Sequence, residues 1–249
     1  MTAAVRPLMR FAGTTPRSGS AVHECDDRFA ARGRRFAVAD GVSESGYSGV
    51  WARILTDAFC SAHAAGLELE ALGTWLAASR SEWRHWADEE SRRDLPWFAR
   101  EALRAGAFAT FVGLTFPSES GAAAWQAVAC GDACLFVVRD DRLEETFPVT
   151  GGDAFDNTPR LVRTSPRPGG DALRTATGAA RIGDAFYLAT DALAHWFLTG
   201  HDRGEKPWNA LDGVNTSSDL EILVSASRGS HTLRNDDVTL VSIVVAADE

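Results

Sequence analysis

The stretch that decides the fold is Phe36-Ala37-Val38-Ala39-Asp40-Gly41-Val42. A short apolar run of this kind is typical of a buried strand, and the Asp-Gly pair near its end indicates a turn. An aspartate at the end of a strand is held rigidly while its carboxylate extends past the sheet edge. The glycine lets a bare backbone carbonyl approach the same point. Hard divalent cations such as Mg²⁺ bind such oxygens, so the stretch predicts one corner of a metal site, provided that further strand-end aspartates follow.

The composition is typical of a soluble globular protein, with 249 residues of which 45% are hydrophobic and 24% charged. The net charge of −9 disfavours nucleic acid as the main partner. The sequence has no apolar leader and no stretch long enough to span a bilayer, so we expect a cytoplasmic protein with no membrane partner. The four cysteines form no Cys-x-x-Cys pair, which predicts reduced thiols. Without a visible repeat or linker, residues 1–249 are predicted to form a single domain.

Hydrophobic periodicity predicts a mixture of helices and strands. The first strand is expected near Met9–Gly13, after a frayed start over residues 1–8. Helical spacing begins at Val50 and returns over residues 67–90, where tryptophans are expected in the helix-packing core. Pro96 ends that helix. A short third helix is predicted around residues 97–105.

The second half of the chain is mostly strand-like. Strands are predicted over residues 107–116, 122–129, 134–138, 185–189 and 238–245, with helices over 193–198 and 219–228. Residues 150–180 are rich in Gly, Pro, Asp and Arg and are predicted to form a long surface excursion, which we take as a flap that faces substrate. Residues 181–184 are predicted to form a hairpin turn, and residues 200–217 a polar loop.

Four aspartates fall at strand ends or tight turns: Asp40, Asp132, Asp191 and Asp236. One such residue is usually a turn former or a helix cap, and Asp191 could cap the helix that follows it. Several converging carboxylates need a counter-charge, either divalent cations or a group of Lys and Arg side chains. Histidines and cysteines do not fall at the same strand ends, which disfavours a zinc site.

An acidic pair precedes the first of these aspartates. Asp26 and Asp27 lie in the polar run Val22–Phe29, which is either a solvated loop or part of the same site. Two adjacent carboxylates repel each other unless a cation or an arginine is close. The pair is therefore a second candidate group of metal ligands.

These residues resemble motifs of the metal-dependent protein phosphatases of type 2C, the PPM family, and in particular its compact bacterial branch. Order and approximate spacing agree from about Gly19 to Val245. The matching pieces are Glu24-Cys25-Asp26-Asp27-Arg28-Phe29, Val38-Ala39-Asp40-Gly41-Val42, Cys130-Gly131-Asp132-Ala133, Leu188-Ala189-Thr190-Asp191-Ala192-Leu193 and Asp236-Asp237-Val238-Thr239-Leu240-Val241.

The resemblance implies an α+β fold, a four-layer α-β-β-α sandwich of two antiparallel sheets flanked by helices. It also implies two Mg²⁺ or Mn²⁺ ions at one end of the sandwich, with Asp40 bridging them and the Gly41 carbonyl completing one site. Asp191 and Asp236 would hold the other metal.

The remaining acidic residues receive less central roles from the same resemblance. Asp27, with Asp26 beside it, would lie at the second metal, directly or through water. Asp132 would help to hold a third, looser metal. A water bridging the two main ions would attack phosphorus in line.

The sequence departs from the family pattern at several points. The family often has an arginine that holds the substrate phosphate at the position of Val22. Arg17, His23 and Arg28 are candidates to replace it, and the sequence does not choose among them. The glycine usually found after the downstream aspartate is replaced by Ala192, and the glycine-rich loop after Gly41 reads Val42-Ser43-Glu44-Ser45.

The resemblance implies a serine/threonine protein phosphatase that acts on phosphorylated proteins and is paired with a Ser/Thr kinase. The alternative is a degenerate domain that keeps the fold but serves as a binding or regulatory module, which the departures at Val22 and after Gly41 favour. A metal phosphodiesterase is a weaker third alternative, because such sites draw on histidines.

Overall fold

The computed structural model describes residues 5–43, 45–62, 66–117, 123–155, 159–166 and 171–248. Within these ranges there are eleven strands and six helices. The strands are β1 (Val5–Thr15), β2 (Arg28–Arg32), β3 (Arg35–Gly41), β4 (Phe108–Thr115), β5 (Ala124–Cys130), β6 (Cys134–Arg139), β7 (Arg142–Phe147), β8 (Val162–Arg163), β9 (Arg174–Ala179), β10 (Ala185–Ala189) and β11 (Val238–Ala247). The helices are α1 (Ser48–Ser61), α2 (Leu69–Ser91), α3 (Trp97–Ala105), α4 (Asp191–Asp202), α5 (Trp208–Asp212) and α6 (Ser217–Gly229).

The strands form two antiparallel sheets. The first sheet has the order β1-β11-β10-β6-β7, and the second has the order β2-β3-β4-β5-β9, with β8 paired to the start of β4. One apolar core lies between the sheets, a second lies between the first sheet and α4 to α6, and a third lies between the second sheet and α1 and α2. The predicted sandwich of two antiparallel sheets flanked by helices is therefore confirmed.

The alternation of side chains along β3 sets the direction of Asp40. Phe36 and Val38 belong to the core between the sheets, whereas Ala37 and Ala39 face the helices. Because successive side chains of a strand point to opposite faces, Asp40 continues the row of Phe36 and Val38. The last acidic residue of the strand is thus directed to the space between the sheets, at one end of the sandwich.

The tryptophans of α1 and α2 are packing residues, as predicted for residues 67–90, whereas Trp97 at the start of α3 is exposed. Trp51 and Trp83 are buried and contact each other edge to face. The indole N–H of Trp51 donates to the backbone carbonyl of Val162 (3.0 Å), and that of Trp75 donates to Leu55 (3.1 Å). The four cysteines are free and buried. Of the helices described, none is long and apolar enough to cross a membrane.

Most predicted element boundaries agree with the structure, but the N-terminal strand is longer than expected. β1 begins at Val5, so residues 5–8, which were expected to be frayed, pair with β11. The polar run Val22–Phe29 contains a short 3₁₀ turn over Val22–Glu24 and the start of β2.

The expected flap over residues 150–180 contains two strands of the second sheet. β8 pairs with β4, and β9 pairs with β5 along six residues. β9 has the sequence Arg-Thr-Ala-Thr-Gly-Ala, and its side chains are half-buried or exposed. Backbone pairing at a sheet edge, rather than an apolar pattern, makes it a strand, and the sequence therefore does not reveal it. Residues 156–158 and 167–170 of this segment lie outside the described residues.

Two further predictions in the second half are wrong in detail. Residues 181–184 do not close a hairpin, because β9 belongs to the second sheet and β10 to the first. The polar loop over residues 200–217 includes the end of α4 and all of α5, in which Trp208 and Leu211 are buried. A helix of five residues is too short to show a period in the sequence.

The connection between the sheets is fixed by a buried ion pair. The Asp184 side chain is 1% exposed and accepts hydrogen bonds from Arg139 Nε (2.8 Å), Arg139 Nη2 (2.6 Å) and the Arg181 backbone N–H (2.8 Å). Burial of both charges is tolerated because each is paired and hydrogen-bonded.

We expect Asp184→Ala to lower the free energy of unfolding by about 3–5 kcal/mol, because it leaves the guanidinium of Arg139 largely buried without its partner. The control is Asp57→Ala, which breaks an exposed pair with Arg53 and should cost about 1 kcal/mol or less. Urea unfolding of both variants measures the difference. Similar losses in the two variants would show that Asp184 does not secure the crossover.

Candidate active site

The acidic end of the sandwich is built around Asp27. This residue precedes β2 of the second sheet and is 2% exposed. Its Oδ2 accepts hydrogen bonds from the hydroxyl of Thr190 (2.7 Å) and from that of Thr239 (2.9 Å). Both threonines are on the side of the first sheet. Thr190 directly follows β10, and Thr239 lies in β11. One carboxylate oxygen therefore joins the two sheets.

The second oxygen of Asp27 has a different environment. Oδ1 is buried and has no hydrogen-bond partner among the described residues. The pKa of Asp27 is raised to about 8: burial is the main cause and the charges of Asp237 and Asp191 contribute, whereas the two threonine hydrogen bonds act to lower it. A buried carboxylate with one unsatisfied oxygen must either bind a proton or be neutralised by a cation.

Asp40 lies close to the same carboxylates. Burial raises its pKa well above the ordinary value, and the charges of Asp27, Asp191, Asp132 and Asp236 each add to the effect. Asp27, Asp132, Asp191 and Asp236 therefore lie near enough to Asp40 for their charges to act on it, at this end of the molecule.

Gly41 is required next to Asp40 because α1 packs directly on it. A Cβ at position 41 would lie 2.7 Å from the backbone carbon of Ser48. The N-terminus of α1 also contacts the acidic pair, since the Gly49 N–H donates to Asp26 Oδ1 (3.0 Å). A carboxylate in this position is favoured by the helix dipole.

A second glycine brings Asp132 to the site. Gly131 lies in the connection from β5 to β6, has a φ of 94°, and a Cβ there would lie 2.6 Å from the Thr110 side chain. Thr110 is paired with Asp40 across β3 and β4. Only glycine fits this turn, and the turn places Asp132 near the end of β3.

Asp237 ties the N-terminal loop to the start of β11. Its Oδ1 accepts from the Arg17 N–H (2.8 Å) and its Oδ2 accepts from the Asp26 N–H (2.8 Å). The two bonds clamp the two ends of the loop that carries the 3₁₀ turn. Asp237 thereby positions the residues that lead into Asp27.

Asp191 and Asp236 complete the acidic cluster. Burial, followed by the charge of Asp236, raises the pKa of Asp191 to about 6, whereas the Ala192 N–H and the Arg234 guanidinium act to lower it. Asp191 Oδ1 accepts from the Ala192 N–H (2.6 Å), and Asp236 Oδ1 accepts from the Asp237 N–H (2.9 Å). In each of these carboxylates, one oxygen thus accepts a hydrogen bond from the backbone N–H of the next residue.

Within the described ranges, no three His, Cys, Asp or Glu side chains form a cluster that could hold a metal ion as it stands. Asp26, Asp27 and Asp191 each direct a carboxylate oxygen toward protein donors.

The three candidates for phosphate binding lie on the N-terminal loop. Arg17 Nε donates to Ser20 Oγ (3.2 Å), and Arg28 Nη1 donates to the carbonyls of Cys25 (2.6 Å) and Asp27 (2.7 Å). His23 is exposed in the 3₁₀ turn, and Val22 is 76% exposed. The guanidinium of Arg28 is therefore occupied in shaping the acidic loop.

Comparison with solved structures identifies the architecture. The serine/threonine phosphatase PstP/Ppp of Mycobacterium tuberculosis matches with a TM-score of 0.66 at 17% identity, covering 96% of this chain and 98% of that one. The catalytic domain of PstP in complex with two manganese ions matches at 0.65 and 17%, covering 98% and 100%. PppA of Pseudomonas aeruginosa matches at 0.62 and 16%, covering 99% of each chain. No protein-family model and no curated protein matches the sequence.

The chain has the fold of the PPM-type serine/threonine phosphatases. The resemblance stated from the motifs is confirmed at this level, over nearly the whole chain. Within the PPM fold, the predicted acidic residues Asp27, Asp40, Asp132, Asp191 and Asp236 are brought together, whereas the roles of individual metal ligands remain predictions.

Several residues that shape this PPM site were not predicted from the sequence. Thr190 and Thr239 hold Asp27, Asp237 clamps the N-terminal loop, and Arg234 faces Asp191. A signal existed for the threonines: each lies next to a strand-end acidic motif, on the row of side chains that faces the other sheet. Arg234 carried no signal, since it lies in a polar loop without a motif.

The pKa of Asp27 predicts how the stability of the metal-free protein depends on pH. The folded chain binds this proton more tightly than the unfolded chain, so stability falls as pH rises from the ordinary aspartate range toward about 8. We expect the melting temperature to decrease between pH 6 and pH 8.5, and Asp27→Asn to flatten the decrease.

Scanning calorimetry in the presence of a chelator measures this effect. Asp57→Asn, at an exposed position on α1, is the matched control and should keep the wild-type slope. A slope that survives in Asp27→Asn would place the titrating group elsewhere.

Proposed function

We propose that this chain is a metal-dependent serine/threonine protein phosphatase that hydrolyses phosphoserine and phosphothreonine in proteins. The observation that carries the proposal is the burial of Asp27 and Asp40 beside other acidic side chains, with one oxygen of Asp27 left without a hydrogen bond. Such a cluster destabilises the folded chain unless cations neutralise it. The likeness to phosphatase structures, one of them holding two manganese ions, supports the same assignment.

The side chains fit hard cations, because they offer carboxylate oxygens and the backbone carbonyl of Gly41 rather than sulfur or imidazole. We assign Asp40, Gly41, Asp191 and Asp236 to the two main ions, with Asp27 and Asp26 at the second ion. Asp132 is assigned to a looser third ion. Bound there, Mg²⁺ or Mn²⁺ would supply Lewis-acid stabilisation of the phosphoryl charge and activation of the attacking water.

The protein's own contribution is to hold these oxygens in place. Thr190 and Thr239 fix one oxygen of Asp27 and leave the other free to bind a cation. Asp237 fixes the loop before Asp27, and the N-terminus of α1 fixes Asp26. Positioning of this kind lowers the reorganisation needed when the substrate binds.

The proposed substrates are phosphorylated proteins, and a Ser/Thr kinase would supply them. The phosphatase names of the matched structures support this proposal, and the kinase itself is an expectation from the family resemblance alone.

A regulatory module without turnover is the second candidate. It is favoured by Val22, which is exposed and offers no cationic group where the family often has arginine, and by Asp26, one oxygen of which is engaged by α1. Hydrolysis of p-nitrophenyl phosphate with and without Mn²⁺ separates the two candidates. A folded protein that shows no Mn²⁺-dependent turnover is a binding module.

We expect Asp40→Asn and Asp191→Asn each to lower kcat by about a hundredfold or more, because several kcal/mol of transition-state stabilisation depends on the cations they hold. Both variants should fold, since they remove repelling charges. The control is Asp88→Asn. Asp88 lies on α2, which belongs to another layer of the sandwich and is far in sequence from the acidic cluster. Wild-type turnover in either site variant would refute the ligand assignment.

We expect Thr190→Val to weaken Mn²⁺ binding about 10- to 100-fold, the usual effect of losing a hydrogen bond that orients a ligand. The Thr190 hydroxyl donates to Asp27 and accepts from the Thr239 N–H (2.9 Å), and valine keeps the shape but not the hydroxyl. Isothermal titration with Mn²⁺ measures the affinity. Thr190→Ser keeps the hydroxyl and should bind normally; if serine and valine behave alike, the hydrogen bond has no role in metal binding.

A further inference from the structure

A cationic pocket lies beside the acidic cluster. Its volume is about 430 Å³, and its walls include His195, Arg228 and Arg234, together with Ser18 and Asn235. Two arginines and two histidines line it, His231 being the second histidine, and no carboxylate does so. On a chain with a net charge of −9, such a pocket is suited to an anion.

Two polar atoms at the pocket lack a hydrogen-bond partner, although the Arg228 guanidinium also donates through Nη1 to the Pro16 carbonyl and through Nη2 to the Asp236 carbonyl. Arg228 Nε and His195 Nδ1 are buried and have no hydrogen-bond partner in the described part of the chain. Arg234 is exposed and, among the same residues, forms no ion pair within 4.0 Å. A buried polar atom without a partner is costly in a folded protein, which applies to Arg228 Nε and His195 Nδ1, whereas the exposed guanidinium of Arg234 is accessible to an anion from solvent.

The pocket borders the acidic cluster directly. Asp191 and His195 are one turn apart on α4 and therefore share a face of the helix. Arg234 is close enough to Asp191 to lower its pKa, and Asp236 follows Arg234 by two residues. An anion in the pocket would thus lie next to the carboxylates to which we assign the cations.

The loop that carries Arg234 is held in one shape. The N–H groups of Thr232 and Leu233 both donate to the Ser227 carbonyl (3.0 and 3.2 Å). His231 has a φ of 58°, which is unfavourable for a residue other than glycine and persists only where the surroundings fix it. The Ser18 N–H donates to Asn235 Oδ1 (2.7 Å). The backbone that carries Arg234 is therefore held in position before a ligand arrives.

We propose that this pocket holds the phosphoryl group of the substrate, with Arg234 and His195 as the binding residues, in place of the arginine expected at Val22. This inference rests on the proposed function. A phosphate monoester offers several anionic oxygens, which the Arg234 guanidinium binds through charge-assisted hydrogen bonds. Burial and the charge of Arg234 lower the pKa of His195, so its imidazole adds an uncharged N–H donor. The alternative candidates on the N-terminal loop are less suited, because Arg28 donates to two backbone carbonyls and His23 lies on the exposed 3₁₀ turn.

The test uses Mn²⁺-loaded protein and p-nitrophenyl phosphate, which carries a single phosphoryl group. We expect Arg234→Ala and His195→Ala each to raise KM, Arg234→Ala by about tenfold or more, which corresponds to the loss of a charge-assisted hydrogen bond. Arg234→Lys should recover part of the affinity, since it keeps the charge but not the fork of donors.

Binding of inorganic phosphate gives a readout that does not depend on turnover. Isothermal titration of Mn²⁺-loaded protein with phosphate should show the same rise in Kd for Arg234→Ala. Arg203→Ala is the matched control, because Arg203 is an exposed arginine at the C-terminal end of α4 and outside the pocket. It should change neither KM nor Kd.

The outcomes separate the pocket from the proposed function. Wild-type KM and Kd in both Arg234→Ala and His195→Ala would overturn the pocket. If the wild type binds phosphate through Arg234 but hydrolyses nothing with Mn²⁺, the pocket is upheld and the phosphatase assignment fails.

Discussion

The architecture depends on how one buried carboxylate, that of Asp27, is satisfied at the end of the sandwich. One oxygen receives hydroxyl hydrogen bonds from Thr190 and Thr239 of the first sheet side, while the residue itself leads into the second sheet. The same group thus connects the two sheets, while its other oxygen is buried and has no hydrogen-bond partner among the described residues. Because a buried charge must be compensated, the packing of the sandwich and the chemistry at its end cannot vary independently.

The acidic cluster lowers the stability of the folded chain at the place where we propose the active site. Burial and mutual repulsion raise the pKa values of Asp27, Asp40 and Asp191, so the ionised cluster weakens the fold when no cation is present. The protein compensates with hydrogen bonds from its own backbone, at Gly49, Ala192 and elsewhere.

The sequence predicts the acidic residues of the site better than their surroundings. Asp40 and Asp191 are readable because each follows a clear apolar strand, and the order of the motifs indicates the PPM fold. β9 is hidden because an edge strand needs only backbone pairing, and α5 because five residues show no period. The hydroxyls of Thr190 and Thr239 are apparent only once two strands from distant parts of the chain lie side by side.

The departure at Val22 becomes understandable from the way in which the N-terminal loop is held. Asp237 fixes the loop through the backbone N–H groups of Arg17 and Asp26, so the loop keeps its shape whatever side chain stands at position 22. The positive charge that an anionic substrate needs can then come from another part of the chain, namely the loop before Asp237. Arg234 precedes Asp237 by three residues, and Arg228 secures the carbonyl of Asp236. If both proposals hold, the anion-binding group and Asp236, which we assign to a cation, are positioned by the same segment, and the distance between the two proposed sites is fixed by its backbone.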